Sequence, residues 1–228
     1  MRTLLILMLV SFGYCASGQI TISAKGGMNS TKIQLPSNVY WVDTKARLGW
    51  QTGLQVSNAW KHWLVYTGIG VSKNSFSAAG GPYSSVIKNP LFINMPVGAG
   101  YSLHISHNIA LNLYSGLYGN LGAGGKLTEK MTPYCDLIGC PESVPSVYYN
   151  TRKINYGHTN TPQYSDDLYK ANWGLQFGAG LRAFKRIELM VMYNLGINYI
   201  TPYYLDDEKQ KLRFFDFSIK YDIVTFKR

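Results

Sequence analysis

Residues 171–183 read ANWGLQFGAGLRA, and residues 187–199 read IELMVMYNLGINY. In both stretches, apolar side chains occupy every second position, and most of the positions between them hold Gly, Asn or Gln. A helix would scatter these apolar residues around its axis, so the period of two predicts β-strands. Both stretches exceed the common strand length of about 5–6 residues and suffice for the roughly 9–11 residues with which a tilted strand crosses a bilayer.

The same alternation recurs along the chain. It is clear in 46–57 and weaker in 20–29, 63–72, 91–104, 109–121 and 214–224. These segments predict an all-β fold, an eight-stranded antiparallel up-and-down barrel formed by one domain over residues 19–228. The connections 58–62, 105–108 and 184–186 are short, whereas 30–44, 73–90, 122–170 and 200–213 are long. Short periplasmic turns and long extracellular loops are typical of transmembrane β-barrels.

Alternation alone would also fit a soluble barrel or sandwich with its apolar face turned inward. The face opposite the apolar one, however, carries mainly Gly, Asn, Gln and Ser. A solvated exterior normally carries many charges, whereas the narrow interior of an eight-stranded barrel needs small polar side chains. The pattern therefore favours the transmembrane barrel. Within its fourth strand, Pro96 followed by Gly98 and Gly100 predicts a bulge or a bend.

Several charged side chains fall on the predicted inner face. They are Lys25, Arg47, Arg182, Glu188, Asp216, Lys220 and Asp222. Bulky side chains share that face, namely Tyr66, Tyr114, Tyr118, Met190 and Met192. Because an unpaired buried charge is costly, we expect the charges to form an internal network. The prediction is a filled interior, and a narrow channel lined by the same charges is the alternative.

The first 18 residues have the features of a secretory signal peptide. Arg2 precedes the apolar stretch 4–14, and Ala16-Ser17-Gly18 provides a small-residue cleavage site. Lipid modification of Cys15 is the alternative, although Tyr14 is bulky for such a signal. Cleavage after Gly18 would leave two cysteines, Cys135 and Cys140, in an oxidising compartment. Their short separation, with Gly139 and Pro141 favouring a turn, predicts a disulfide.

The composition excludes several classes of protein. Of the 228 residues, 46% are apolar and only 15% are charged, which argues against disorder. The longest apolar run, 4–10, is far shorter than the ~20 residues of a spanning helix. Lys and Arg outnumber Asp and Glu by 22 to 12, but they are scattered singly, which argues against nucleic acid. Outer-membrane lipid and lipopolysaccharide are the expected partners.

Several motifs carry a family resemblance. The signal peptide followed by Gln19, the segment LFINMPVGAG at 91–100, WGLQFGAG at 173–180 and MYNLG at 192–196 resemble the outer-membrane β-barrel domain family of Bacteroidetes, the PorT-like and OmpA-like small barrels. The resemblance spans residues 19–228. It implies an integral protein of the cell outer membrane, and some relatives support the secretion of surface proteins.

The sequence offers little catalytic chemistry. His104 and His107 lie three residues apart without a third metal ligand nearby, and the acidic runs 166–167 and 206–208 lack the spacing of a calcium site. We therefore expect no cofactor and a non-enzymatic role, structural or in surface interactions. The Tyr-rich loop 122–170 is the candidate contact for a protein or glycan, or it folds over the barrel mouth. A lipid-modifying enzyme built around His158 and Ser165–Asp167 is the alternative.

Overall fold

The computed structural model describes residues 18–34, 42–80, 84–131, 148–157, 168–184, 186–200 and 210–226. These ranges contain twelve β-strands. The strands are β1 (Gln19–Gln34), β2 (Val42–Trp60), β3 (Trp63–Lys73), β4 (Phe76–Gly80), β5 (Ser84–Ser106), β6 (Ile109–Met131), β7 (Tyr148–Lys153), β8 (Tyr156–Gly157), β9 (Leu168–Tyr169), β10 (Ala171–Ala183), β11 (Ile187–Tyr199) and β12 (Lys211–Phe226). Within the same ranges, no helix has the length and apolar character needed to cross a membrane.

The main sheet closes on itself. β1 pairs with β2 on one side and with β12 on the other. From β2 the antiparallel pairing continues through β3, β5, β6, β10 and β11 and returns to β12. β4 pairs with β2 and β5, and β7 extends the sheet from β6. The short β8 and β9 form a separate parallel pair. The predicted all-β antiparallel architecture is confirmed. The described residues contain twelve strands, and eight of them form the closed ring.

The additional strands lie in segments that were predicted to be long loops. β4 falls within 73–90, and β7, β8 and β9 fall within 122–170. β5 and β6 also extend far beyond their predicted ends, to 23 residues each. The sequence did not indicate this extension because the added part of β6 includes Lys126, Glu129 and Lys130, which break the apolar alternation. Main-chain pairing does not require that alternation, and Leu127 is the one described residue of the added part of β6 that joins the interior cluster.

The connections place two different ends on the closed sheet. At one end, which we call the turn end, Trp60 pairs directly with Trp63, so that only residues 61–62 form the turn. Lys61 adopts a left-handed conformation with φ of 54° in that turn. The turns between β5 and β6 and between β10 and β11 lie at the same end. The opposite end, which we call the loop end, holds the junctions that follow β1, β4, β6 and β11.

Of the bulge or bend predicted at Pro96, the structure excludes the bulge. Along the β5–β6 pair, the register shifts between Leu91 and Phe92 and near Ser106, whereas Pro96 stays in register with Tyr118. On the β3 side, pairing pauses between Val97 and Asn94 without a change of register. Proline has no N–H to donate, so the ladder loses a bond there without needing an extra residue. The Thr67 hydroxyl donates a hydrogen bond of 3.2 Å to the Pro96 carbonyl.

Burial alternates along the strands in the predicted sense. In β12, Phe215, Phe217 and Ile219 are 48–57% exposed, whereas Asp216, Ser218 and Lys220 between them are at most 6% exposed. β10 and β11 show the same alternation. The polar face therefore lies inside the closed sheet, and the apolar face lies outside.

Two groups of bulky side chains fill the interior. Nearer the turn end, Leu64, Tyr66, Tyr114, Met190 and Met192 pack together. Nearer the loop end lies a larger cluster, consisting of Ile33, Phe76, Phe92, Tyr118, Leu127, Ile154, Leu168, Ile200, Leu212 and Phe214. Ile154 and Leu168 come from the predicted loop 122–170, so part of that segment folds over the opening of its own sheet.

Candidate functional site

The predicted internal charges are organised around one row of residues that crosses four neighbouring strands. Lys25 on β1 pairs with Lys220 on β12, which pairs with Glu188 on β11, which pairs with Arg182 on β10. Side chains of directly paired residues point to the same face of a sheet. All four side chains therefore point inward at one level of the closed sheet.

Glu188 is the centre of this row. Its Oε2 lies 2.5 Å from the Lys220 Nζ and 3.6 Å from the Arg182 Nη2. Its Oε1 accepts hydrogen bonds from the Asn112 amide at 2.7 Å and from the Tyr114 hydroxyl at 2.5 Å. Glu188 and Lys220 are each 1% exposed. Both carboxylate oxygens are thus compensated, as a buried charge requires.

Two further carboxylates flank the row. On the turn-end side, Asp222 lies 3.6 Å from the Arg182 Nη2 and accepts a hydrogen bond of 2.7 Å from Ser23. On the loop-end side, Asp216 accepts a hydrogen bond of 2.8 Å from Asn194 and interacts electrostatically with Lys25. Arg182 therefore bridges two carboxylates, and each charge in the set has an opposite charge or a hydrogen-bond donor near it.

The structure brings six of the seven predicted charges together and leaves Arg47 apart. Arg47 is exposed, although its position in the alternation is an inward one. It pairs with Thr31 as the last β2 residue along β1, and from Ala46 onward β2 pairs with β4. Arg47 therefore lies where the pairing of β2 with β1 ends and where the other edge of β2 passes from β3 to β4. Without it, three cations face three anions, and the internal set is neutral.

Glycines on the inner face make room for the large groups. A Cβ at Gly180 would overlap the Glu188 carboxylate, and a Cβ at Gly98 would overlap the Tyr66 hydroxyl end. The Tyr66 hydroxyl in turn accepts a hydrogen bond of 2.8 Å from Gln176. Asn112 and Gln176 were not among the residues predicted to belong to the network. Their inward positions in the alternation could have indicated that they belong to it.

The described residues hold no group of three or more His, Cys, Asp or Glu side chains that could bind a metal ion. His62 and His104 lie with ring centroids 5.7 Å apart at the turn end, and the His62 ring contacts the Ser102 carbonyl. Other predicted features fall outside the described residues, namely the signal peptide with Cys15, the cysteines Cys135 and Cys140, His158, Ser165–Asp167 and the acidic run 206–208. The chemistry of the internal cluster is charge pairing that joins strands.

Comparisons with known proteins give one family and several similar folds. The model of a family described as an outer membrane protein beta-barrel domain matches residues 15–201. No curated protein matches the sequence. The structure is similar to Ail, the attachment invasion locus protein of Yersinia pestis, with 15% identity over 92% of this chain and 99% of that chain and a TM-score of 0.38. It is also similar to Neisserial surface protein A, with 9% identity over 89% and 97% of the two chains and a TM-score of 0.43.

Proposed function

The chain belongs to the outer membrane protein β-barrel domain family, and from this premise we propose that it is an integral outer-membrane barrel with a sealed interior. In this proposal it acts through interactions at the cell surface and not as an enzyme. The signal peptide 1–18 directs its export and is removed after Gly18. The narrower assignments, a PorT-like barrel of Bacteroidetes and a role in supporting protein secretion, are part of the same proposal.

The observation that carries the proposal is the composition of the outer surface. Large apolar side chains are exposed on every strand of the closed ring, with Leu48, Ile69, Leu117 and Leu189 as examples at 49–68% exposure. Soluble proteins rarely expose contiguous apolar patches of more than a few hundred Å². Such a surface is stable in hydrocarbon, where every main-chain polar group must be paired, as a closed sheet allows.

The orientation follows from the two ends of the sheet. Outer-membrane barrels have short periplasmic turns and longer extracellular loops. The turn end therefore faces the periplasm in this proposal, and the loop end faces the outside of the cell. Two described tyrosines of segment 122–170 are engaged within the protein: the Tyr156 hydroxyl donates a hydrogen bond to the Gly124 carbonyl, and Tyr169 is buried. Two others, Tyr148 and Tyr149, are 56% and 67% exposed. β7 is thus the best-supported contact for a protein or glycan partner.

Cysteine labelling tests the membrane placement. In a Cys135→Ser/Cys140→Ser background, Lys61→Cys and Lys126→Cys place one thiol at the turn end and one at the loop end. We expect a membrane-impermeant maleimide to label position 126 in intact cells and position 61 only after the outer membrane is permeabilised. Labelling of position 61 in intact cells would contradict the proposed orientation.

A second experiment tests the surface role. Co-purification from native outer membranes is compared between the unaltered protein and Tyr148→Ser/Tyr149→Ser, with Asn150→Ser on the same strand as the matched control. Loss of a partner only in the tyrosine variant supports β7 as the contact. Analysis of the cellular lipids tests the alternative, a lipid-modifying enzyme. This alternative is supported if lipid A or phospholipid is modified in cells that express the unaltered protein and is not modified in cells that express His158→Ala.

A further inference from the structure

A patch of basic side chains lies on the outer surface near the loop end. Lys32 on β1 pairs directly with Arg213 on β12, and both alternate with inward residues, so that they point outward. Lys211 is the next outward residue of β12, and its Nζ lies 5.7 Å from the centroid of the Tyr199 ring. We call these three residues the rim patch. Like charges directly opposite each other destabilise a sheet, so an anion bound at the patch would stabilise it.

The described residues supply no such anion. The salt bridges found among them join other residues, and none includes Lys32, Lys211 or Arg213. In addition, the buried Nε of Arg213 has no hydrogen-bond acceptor within the described part of the chain. A buried donor without an acceptor costs free energy, which adds to the cost of the like charges at the patch.

An apolar groove begins at the rim patch and continues toward the turn end. Its upper part is a cavity of about 420 Å³ whose lining includes Lys32, Arg213, Ser30, Tyr193 and Phe215. The Tyr193 and Phe215 rings lie 4.8 Å apart at this level.

The lower part of the groove is a cavity of about 570 Å³. Glycines and apolar side chains form most of its lining, including Gly26, Met28, Ala179, Val191 and Phe217. Met28 and Phe217 lie directly beyond Ser30 and Phe215 along β1 and β12, so the two cavities are consecutive. From Lys32 to Gly26 the groove spans six residues, or roughly 20 Å at about 3.3 Å per residue.

We propose that the rim patch and this groove form a binding site for a phosphorylated, acylated glycolipid of the outer leaflet, the lipid anchor of lipopolysaccharide. The inference rests on the proposed function, because it requires the loop end to lie at the outer surface of the membrane. The Arg213 guanidinium and the Lys32 ammonium bind the headgroup phosphate, which matches the bidentate geometry of arginine. One acyl chain follows the groove, whose length is comparable to the ~15 Å of hydrocarbon in one leaflet.

Gly26 leaves the lower part of the groove open because it has no side chain. Gly26 faces outward, and a Cβ built at this position would meet nothing within 4 Å. A larger side chain would therefore fill the groove without disturbing the packing of the sheet. A substitution at Gly26 therefore tests the contribution of the groove to lipid binding separately from the contribution of the charges.

The test measures the binding of purified lipid A to the full-length protein in detergent micelles by native mass spectrometry. The charge variant is Lys32→Gln/Arg213→Gln. Its matched control is Lys126→Gln/Lys153→Gln, because these two exposed lysines also pair directly, on β6 and β7. Gly26→Leu blocks the groove. Dephosphorylated lipid A, inorganic phosphate and phosphatidylcholine are the comparison ligands.

We expect the charge variant to weaken lipid A binding by about tenfold or more, since it removes two charge-assisted contacts, and the control pair to change it by less than about twofold. Gly26→Leu should also weaken it, and dephosphorylated lipid A should bind as weakly to the unaltered protein as lipid A does to the charge variant. The proposal would be overturned if the charge variant and the control variant lost lipid A binding equally. It would also be overturned if the unaltered protein bound dephosphorylated lipid A as tightly as lipid A. Inorganic phosphate competing fully with lipid A would mean an anion site without a lipid groove.

Two further controls complete the test. The acidic run 206–208 shortly precedes Lys211 in the sequence. If the unaltered protein does not bind lipid A and only Asp206→Asn/Asp207→Asn/Glu208→Gln binds it, the protein neutralises its own patch, and the proposal is wrong. Insertion of each variant into membranes is measured separately by the cysteine labelling described above. A protein that inserts correctly but does not discriminate between these lipids contradicts the lipid site and leaves the proposed function standing.

Discussion

The Lys220 ammonium and the Glu188 carboxylate lie 2.5 Å apart inside the closed sheet, and each residue is 1% exposed. They belong to the neighbouring strands β12 and β11 and are direct partners in the register. The pair thus joins the strands at a level where no solvent can compensate either charge.

Removing one member of this pair should destabilise the protein strongly. Lys220→Met removes the closest cationic partner of the buried Glu188 and leaves Arg182, at 3.6 Å, and the more distant Lys25. We expect the free energy of unfolding to fall by about 3–5 kcal/mol. Urea titrations in phospholipid vesicles, followed by tryptophan fluorescence, measure the change. The double variant Glu188→Gln/Lys220→Met should regain much of the loss, because no unpaired charge remains.

Lys45→Met is the control for that experiment. Lys45 and Asp43 also form a salt bridge, of 3.7 Å, but both side chains are largely exposed. Exposed pairs contribute little, so this substitution should leave the unfolding midpoint almost unchanged. If Lys220→Met proved no more harmful than Lys45→Met, the internal cluster would not be a source of stability.

Gly180→Ala should impair folding, whereas Gly26→Ala should not. A Cβ at Gly180 would overlap the Glu188 carboxylate within the tightly bonded cluster, while a Cβ at Gly26 would point into open space. Both glycines lie on strands of the closed ring, so the comparison isolates the inner face. Heat-modified mobility on gels reports the folded fraction. Equal folded fractions for the two variants would mean that the cluster tolerates displacement of Glu188.

The purified protein should show no stable conductance steps in planar bilayers. The bulky residues of the two interior clusters fill the closed sheet, and the cavity beside Lys25, of about 50 Å³, has room for one or two water molecules only. An open porin in the same bilayers serves as the positive control. Reproducible single-channel steps from this protein would support the narrow-channel alternative.

Cys135 and Cys140 are predicted to form a disulfide in protein purified from outer membranes. Closing so short a loop should contribute about 2–3 kcal/mol at most, and it should act on the loop and not on the closed sheet. Thiol titration of the denatured, unreduced protein should therefore detect no free thiol. In the Cys135→Ser variant one thiol should appear. Two free thiols in the unaltered protein would contradict the prediction.

The sequence predicted the inner and outer faces well because the period of two specifies them directly. Glu188, Lys220 and Asp222 each lie between outward apolar residues, so their inward direction could be derived without a structure. Arg47 has the same local pattern but lies where the pairing of β2 with β1 ends and where the other edge of β2 passes from β3 to β4. That exchange depends on the pairing of distant strands, which no local pattern contains.

The apolar cluster at the loop end could not be predicted for a related reason. Phe76, Ile154 and Leu168 come from segments without sustained alternation. Phe76 enters the interior because β4 continues the sheet between β2 and β5, whereas Ile154 and Leu168 enter it because the region around β8 and β9 folds over the opening. The polar inner face that the alternation indicates therefore describes the level of Glu188 but not the region near the loop end. There the interior is closed by aromatic and aliphatic side chains.

The pairing of β1 with β12 sets a condition on the timing of folding. The Ser23 hydroxyl donates a hydrogen bond to the Asp222 carboxylate across this β1–β12 seam, and the two residues are 199 positions apart in the chain. The ring cannot be completed before residue 222 has been exported, and until then two strand edges stay available for pairing with other chains. Contacts of such long range also slow folding. We therefore expect the exported chain to need protection by a holding chaperone for most of its passage, with closure of the seam as the final step.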